Sequence, residues 1–330
     1  MSVHKPEYPA VPDYPTEGPH TAALATAQET LLKELASPDS EWESQGERDG
    51  VKLWKKTDAA DPNAVPTVKG ECLVEGVTSE AFLSGVVGLS STRKLWDPRF
   101  ETGHVLTRYS RTTFAFYSQT KGLGWLIYPR DIVGVQQNHL RADGSPTGER
   151  LVVQTSIKED ELAPEQSGKT RATLVVSGWR FVPEGDNLRV TYVVNVKLNG
   201  SIPLALVAKI ATETPLCTAR ARDAFYQYGH APVSRVPADS TTIFQTESFS
   251  DPPLSENDPH PRAFRCSITT GQPGDRFEII YDLKRMYKPE GGVKVEVEGE
   301  GVEVENDENG TVAVKSTEAG KRAVIVLSPK

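Results

Sequence analysis

The sequence predicts an α+β protein in which a curved antiparallel sheet wraps around a long C-terminal helix, followed by a small all-β, sandwich-like module. Three observations predict it. From Leu188 to Leu198 the chain alternates with period 2. Leu188, Val190, Tyr192, Val194, Val196 and Leu198 share one face; Arg189, Thr191, Asn195 and Lys197 share the other, with Val193 the exception. After Gly200 the period lengthens to that of a helix, and Val207, Ile210, Thr214, Cys217, Ala221, Ala224 and Tyr228 form one stripe. Beyond residue 262, short alternating runs stand at hairpin spacing.

Each element follows from local chemistry. Residues 1–19 carry Pro6, Pro9, Pro12, Pro15 and Pro19 and read as an extended, disordered lead-in. Thr21–Ala36 has high helix propensity, with Leu24, Ala27, Leu31 and Leu35 near helical spacing, and Ser37-Pro38 stops it. Between Val51 and Val74 the pattern gives two or three strands, broken by a turn over residues 58–64. Thr78 reads as the N-cap of a helix reaching Val87, with Phe82, Leu83 and Val86 as its apolar stripe. A short helical segment then ends at Trp96-Asp97. Six strands follow, over 104–109, 111–120, 130–140, 151–157, 171–182 and 188–198. Pro203 suits the first turn of the last helix, and Pro215 inside it predicts a kink or break near Ala211–Thr214. Residues 231–261, polar and rich in Pro and Ser, read as a linker. The resulting plan is a lead-in (1–19), a main domain (20–230), a linker (231–261) and a β module (262–330).

Bulk properties narrow the partners. At 330 residues the chain suggests about two domains. A net charge of −8 argues against nucleic acid, whose phosphates need clustered Lys and Arg. No N-terminal apolar segment resembles a secretory signal, and no apolar run is long enough to span a bilayer. The three cysteines, Cys72, Cys217 and Cys266, are far apart and fit neither a disulfide framework nor a zinc site. A cytoplasmic location is the expectation.

Catalytic signatures are missing. None of the six histidines stands at a metal-ligand spacing, and the chain lacks a nucleophile elbow, a dinucleotide loop and a P-loop. Neither a metal nor another cofactor is expected, nor enzymatic activity. What remains is an architecture that can enclose apolar volume between sheet and helix. A hydrophobic ligand there gains roughly 25 cal/mol per Å2 of apolar surface removed from water.

Three motifs in order make the pattern specific. Lys94-Leu95-Trp96-Asp97, Arg130-Asp131-Ile132 and Gly200-Ser201-Ile202-Pro203 together resemble the START family, the steroidogenic acute regulatory protein-related lipid-transfer domains. The resemblance spans residues 20–230 and has a fungal flavour. It implies a helix-grip fold, a lipid ligand (sterol, fatty acid or phospholipid) held in an internal cavity, no enzymatic activity, and a gate formed by a loop beside the last helix. The loop His139–Glu149 is the expected gate and, with that helix, the expected point of transient membrane contact. Departures from the family pattern are Ile132, where Phe is usual, and Lys197, where Asp is frequent. The cavity Glu and Arg of some sterol-binding members fall here on Tyr117 and Gln136, which implies a neutral cavity.

The expected ligand-binding residues are Phe116, Tyr117, Gln136, Trp179, Phe181, Tyr192, Val194, Val207, Ile210 and Cys217. A register error of one residue would turn Tyr117 outward and bring Phe114 and Phe116 inward. Trp96-Asp97 and Arg130-Asp131 are expected to hold the fold rather than touch a ligand. Two rivals stay open: a polyketide cyclase-type enzyme on the same fold, and an interaction scaffold with a filled cavity. A protein partner is a further possibility for the C-terminal module.

Overall fold

Leucines at helical spacing nucleate the first element, α1 (Thr21–Ala36), which buries Leu24, Ala27 and Leu31. The computed structural model describes residues 18–330 apart from 62–63, 89, 123–126, 141–147, 159–160, 201, 238, 251–261 and 289–290. All but the end of the proline-rich lead-in therefore lies outside the described residues.

β1 (Glu43–Arg48) and β2 (Val51–Lys56) make a hairpin about Asp49-Gly50, whose φ angles of 54° and 69° match a two-residue turn that follows the strand twist. Nothing in the sequence announces β1: every residue in it is exposed, so it has no alternation to read. β3 (Thr67–Glu75) follows. The Thr78 hydroxyl then accepts a hydrogen bond from the Ala81 amide at 3.2 Å and caps α2 (Ser79–Phe82), which continues as a π-helical turn over Leu83–Val87. After α3 (Ser90–Trp96) come β4 (Phe100–Arg108), β5 (Thr113–Thr120), β6 (Arg130–Leu140), β7 (Arg150–Ser156), β8 (Thr170–Arg171), β9 (Thr173–Glu184) and β10 (Asn187–Lys197). The strands form one sheet in the order β1-β2-β3-β10-β9-β7-β6-β5-β4, with β8 paired parallel to β6.

Helices cover both faces of this sheet. On the outer face Ala27 and Leu31 of α1 pack on Val153, Val176 and Val193. That contact explains why Val193 breaks the polar run of β10. Gly178 makes room for it: a Cβ there would stand 2.1 Å from a Leu31 methyl carbon. The inner face is crossed by α4 (Leu204–Glu213) and α5 (Cys217–Tyr228). The disruption expected near Ala211–Thr214 is a full break between Glu213 and Cys217, because Pro215 offers no N–H to continue the ladder. Cys217, Ala221, Ala224 and Phe225 are buried on α5, while Tyr228 at its end is exposed.

The C-terminal module is a sandwich of two four-stranded sheets. One runs β11 (Val233–Arg235), β14 (Arg276–Ile280), β17 (Thr311–Ser316), β16 (Val302–Asn306). The other runs β12 (Ile243–Phe249), β13 (Phe264–Thr269), β18 (Arg322–Pro329), β15 (Val293–Gly299). Phe264, Ile268, Ile279, Tyr287, Val312 and Ile325 fill the space between them. The linker expected over 231–261 is thus corrected: β11 and β12 lie inside it, and Ala231, Phe244 and Phe249 belong to the sandwich core. Its residues 251–261 lie outside the described residues. The acidic run after Val293 also divides, since β15 and β16 fall in opposite sheets and Gly299 and Gly301 turn the chain with φ of 99° and 84°.

The sandwich sits against the main domain. The Ala231 amide donates to Gly85 O at 3.0 Å, Arg235 pairs with Glu80 at 3.0 Å, and the Arg285 guanidinium lies 4.6 Å from the Phe225 ring centroid. The Arg111 side chain donates to Ser234 O.

Candidate functional site

Beneath α4 and α5 the inner face of the sheet encloses a cavity of about 360 Å3. β10 supplies Tyr192, Val194 and Val196, β9 supplies Leu174, Ser177 and Trp179, and β6 supplies Ile132 and Gln136. Leu206, Ile210 and Cys217 close it from the helices. The Trp179 and Tyr192 rings stack at 4.3 Å, and Trp96 meets Trp179 edge-on at 5.8 Å while its indole N–H donates to Val86 O at 3.0 Å. Gly134 leaves space for the ring of Phe116, whose Cζ would stand 2.6 Å from a Cβ there.

Polar groups on the floor of the cavity bond to one another. The Gln154 amide donates to Gln136 Oε1 at 2.6 Å, and Gln136 donates in turn to Asn138 Oδ1 at 2.9 Å. The Ser177 hydroxyl lies 2.9 Å from Gln154 Oε1 and 3.4 Å from the Tyr192 hydroxyl. This neutral chain crosses four strands. Burial pushes the Tyr192 phenol well above its usual value, and pushes the Cys217 thiol up to about 12. The cavity is not wholly neutral, however. Arg93 donates to Asp97 Oδ2 through Nε and Nη2 at 2.9 and 2.8 Å, and both residues line the wall. Asp97 Oδ1 also accepts from the Arg99 amide at 3.1 Å, so this carboxylate holds both a guanidinium and the backbone turn.

Arg130 and Asp131 hold the fold, but not as a pair. Arg130 donates to the carbonyls of Tyr128, Leu198 and Asn199, tying β6 to the turn before α4. Asp131 takes two hydrogen bonds from Arg171, at 3.0 and 3.1 Å.

A second compartment of about 620 Å3 adjoins the first, between the β4–β5 hairpin and strands β11 and β12 of the sandwich. Both compartments are lined by Leu83, Val87, Arg93, Phe116, Gln136 and Gln154.

Of the ten residues expected at the ligand, Phe116, Gln136, Trp179, Tyr192, Val194, Ile210 and Cys217 lie around the inner cavity. Tyr117 does not. It is absent from the inner cavity but borders the second compartment; it packs with Val133 and Ala163, and its hydroxyl contacts Lys169 at 3.0 Å. Phe181 shares the Trp179 face but is fully buried against Phe82, whose ring also meets Phe225; both centroid separations are 6.1 Å. Val207 is half-buried on α4 but does not border the cavity, where Leu206 takes the place assigned to it. Arg93, Gln154 and Ser177 were missed. Arg93 could have been found from its spacing, four residues before Asp97 on one helix face.

The loop expected as the gate, His139–Glu149, is described only at its two ends. The 139–149 segment leaves the far end of β6, about 33 Å from Arg130 at roughly 3.3 Å per residue. Ser79 of α2 donates there to Gly148 O, while Arg130 and the start of α4 are at the opposite end. Residues 141–147 of this segment lie outside the described residues.

The START domain pattern matches residues 23–230, nearly two thirds of the chain. The chain belongs to the START family. Its START domain has a lipid-binding fold. Among solved structures, human StAR-related lipid transfer protein 5 is similar at 19% identity, covering 62% of this chain and 97% of that one, with a TM-score of 0.54. Human STARD10 is similar at 18% identity, covering 61% and 78%, with a TM-score of 0.52. At these identities the likeness establishes the START fold alone. No curated protein matches the chain by sequence. Among the described residues, no helix is long and apolar enough to cross a membrane, and no cluster of His, Cys, Asp and Glu could hold a metal ion.

Proposed function

We propose that the chain binds one hydrophobic lipid molecule reversibly in the cavity beneath α4 and α5, and carries or senses it without chemical change. The lining carries this reading. On the helix side Leu206, Ile210 and Cys217 give it apolar surface beside Lys209, Thr214 and the paired Glu213 and Arg220, and its floor amides and hydroxyls already satisfy one another. A sterol, fatty acid or phospholipid chain can therefore enter without stranding a buried polar group.

Entry is assigned to α4. Pro215 separates it from α5, so α4 can swing while α5 stays anchored through Ala221 and Phe225. The mouth lies beside the exposed Tyr128 and the Arg130 tie, the natural place for brief contact with a membrane in a cytoplasmic protein.

The rival reading as a cyclase-type enzyme needs an acid or base poised near neutrality. The groups that border the inner cavity oppose it: Tyr192 and Cys217 are held protonated by burial, and Asp97 is taken up by Arg93. A filled-cavity scaffold is disfavoured by the open volume.

Native purification followed by denaturation, extraction and lipid mass spectrometry tests the proposal. Near-stoichiometric lipid is the expected result. No recovered lipid, together with no uptake of fluorescent sterol, fatty acid or phospholipid, would sink it.

A further inference from the structure

The C-terminal sandwich gives the chamber a second chemistry. The compartment it closes has the hairpin β4–β5 on one side and Ser234, Arg235, Gln245 and Glu247 of the sandwich on the other. Its lining holds five arginines, Arg93, Arg108, Arg111, Arg150 and Arg235, against two glutamates, Glu80 and Glu247. That is a cationic interior within a chain of net charge −8. Three of the arginines pair with carboxylates, Arg235 also with Glu278 at 3.5 Å. Arg93 is held by Asp97, while Arg150 and Arg235 share Glu80 at 3.7 and 3.0 Å.

Arg108 and Arg111 are not balanced. Among the described residues neither makes an ion pair. Arg108 donates to Arg111 O at 3.0 Å and lies 5.3 Å from the Phe114 ring; Arg111 donates to Ser234 O and lies 5.4 Å from the Phe244 ring. Removal from water pushes both below the usual guanidinium value, with the charge of Glu247 pulling the other way. A guanidinium stays charged at neutral pH, so the pair carries more positive charge than the single facing carboxylate returns. The backbone under them is fixed. The Ser110 hydroxyl accepts from the amides of Thr112 and Thr113 at 3.2 and 3.0 Å, locking the turn that presents Arg111. Two planar donor forks in a half-buried site suit a carboxylate or phosphate.

We propose that the C-terminal sandwich is a wall of the ligand chamber, and that Arg108 and Arg111 receive the anionic head of an amphiphile whose tail lies in the inner cavity. This rests on the reading of the inner cavity as a lipid site. It gives the module a role inside the binding chamber, where the sequence allowed only an unknown protein partner. Phe116 borders both compartments and marks the place where head and tail would join.

The test uses the full chain and tail-matched probes: oleate against oleyl alcohol, and dioleoyl phosphatidic acid against dioleoylglycerol. Uptake is read on soluble protein after vesicles are removed by flotation, which excludes surface adsorption. The anionic member of each pair is expected to bind at least tenfold more tightly. Arg108→Gln should abolish most of that difference while leaving the neutral member unchanged, and Arg108→Lys should restore part of it. Arg111→Gln also loosens the contact with Ser234, so Arg108 decides. Equal binding of both members by the native chain, or an equal loss of both in Arg108→Gln, overturns the proposal. Competition by inorganic phosphate as strong as by phosphatidic acid also overturns it, because the head would then bind without its tail. If no member of either pair binds, the lipid reading itself falls.

Discussion

Gly70 of β3 lies directly against Pro215 at the break between α4 and α5: a Cβ on Gly70 would stand 2.5 Å from the Pro215 carbonyl oxygen. The sheet is therefore bare of side chains where the helix breaks. Gly70→Ala should push the break outward and destabilise the protein by roughly 1–3 kcal/mol, the usual range for overpacking. Thermal and urea denaturation check this, and an unchanged midpoint would show that the break does not depend on the close approach.

Ile210 borders the inner cavity and Val207 does not. Ile210→Trp should cut uptake of a fluorescent lipid at least tenfold with little change in melting temperature, because the indole occupies ligand volume. Val207→Trp, three residues earlier on the same helix, should leave uptake nearly intact. Equal effects of the two substitutions would mean that α4 presents another face.

Gln154 joins Gln136 to Ser177 and Tyr192 across the cavity floor. Gln154→Leu strands the Gln136 carbonyl and leaves the Ser177 hydroxyl only its long contact with Tyr192, with an expected loss of about 1–3 kcal/mol in urea denaturation. The double variant Gln136→Leu/Gln154→Leu should be less destabilised than the two single losses added together. Strict additivity would refute the coupling.

His230 stands where the main domain meets the sandwich. Its Nδ1 donates to Ala231 O at 2.8 Å, and its amide donates to Asp282. Burial lowers its pKa, opposed by the Ala231 hydrogen bond and by Asp282. The unfolded chain, with an imidazole near 6.5, therefore binds the proton more readily than the folded one. Stability should be flat above that value and fall as pH drops below it, by at most about 1.4 kcal/mol per pH unit from this group. His230→Gln should remove that part of the acid sensitivity. Denaturation midpoints at pH 7.5 and 5.5 for both proteins make the comparison.

The legible parts of the fold were those where one face is buried and the other wet. The alternation of β10 and the stripe along Ile210, Cys217 and Ala221 placed sheet and helix correctly, because each repeats one environment at a fixed period. β1 escaped because all its residues are exposed, and β11 and β12 escaped because Pro and Ser around them mimic a linker. At the site, Tyr117 stands one position out of register with the inner cavity, which Phe116 borders instead, and lies at the second compartment. Phe181 failed for another reason. It shares a face with Trp179, but Phe82 meets it where Trp179 meets open volume, and only the packing of a distant helix separates those cases.

The junction after α5 has a practical consequence for anyone dissecting the chain. Residue 230 ends the region matched by the family, yet it is a poor place to cut. Removing residues 231–330 would strip Gly85 of the Ala231 amide, uncover Phe225 beneath Arg285, and leave Glu80 without Arg235. A truncated fragment should expose sticky surface and lose one wall of its own interior. The two halves are better treated as a single vessel, with the second half as its stopper.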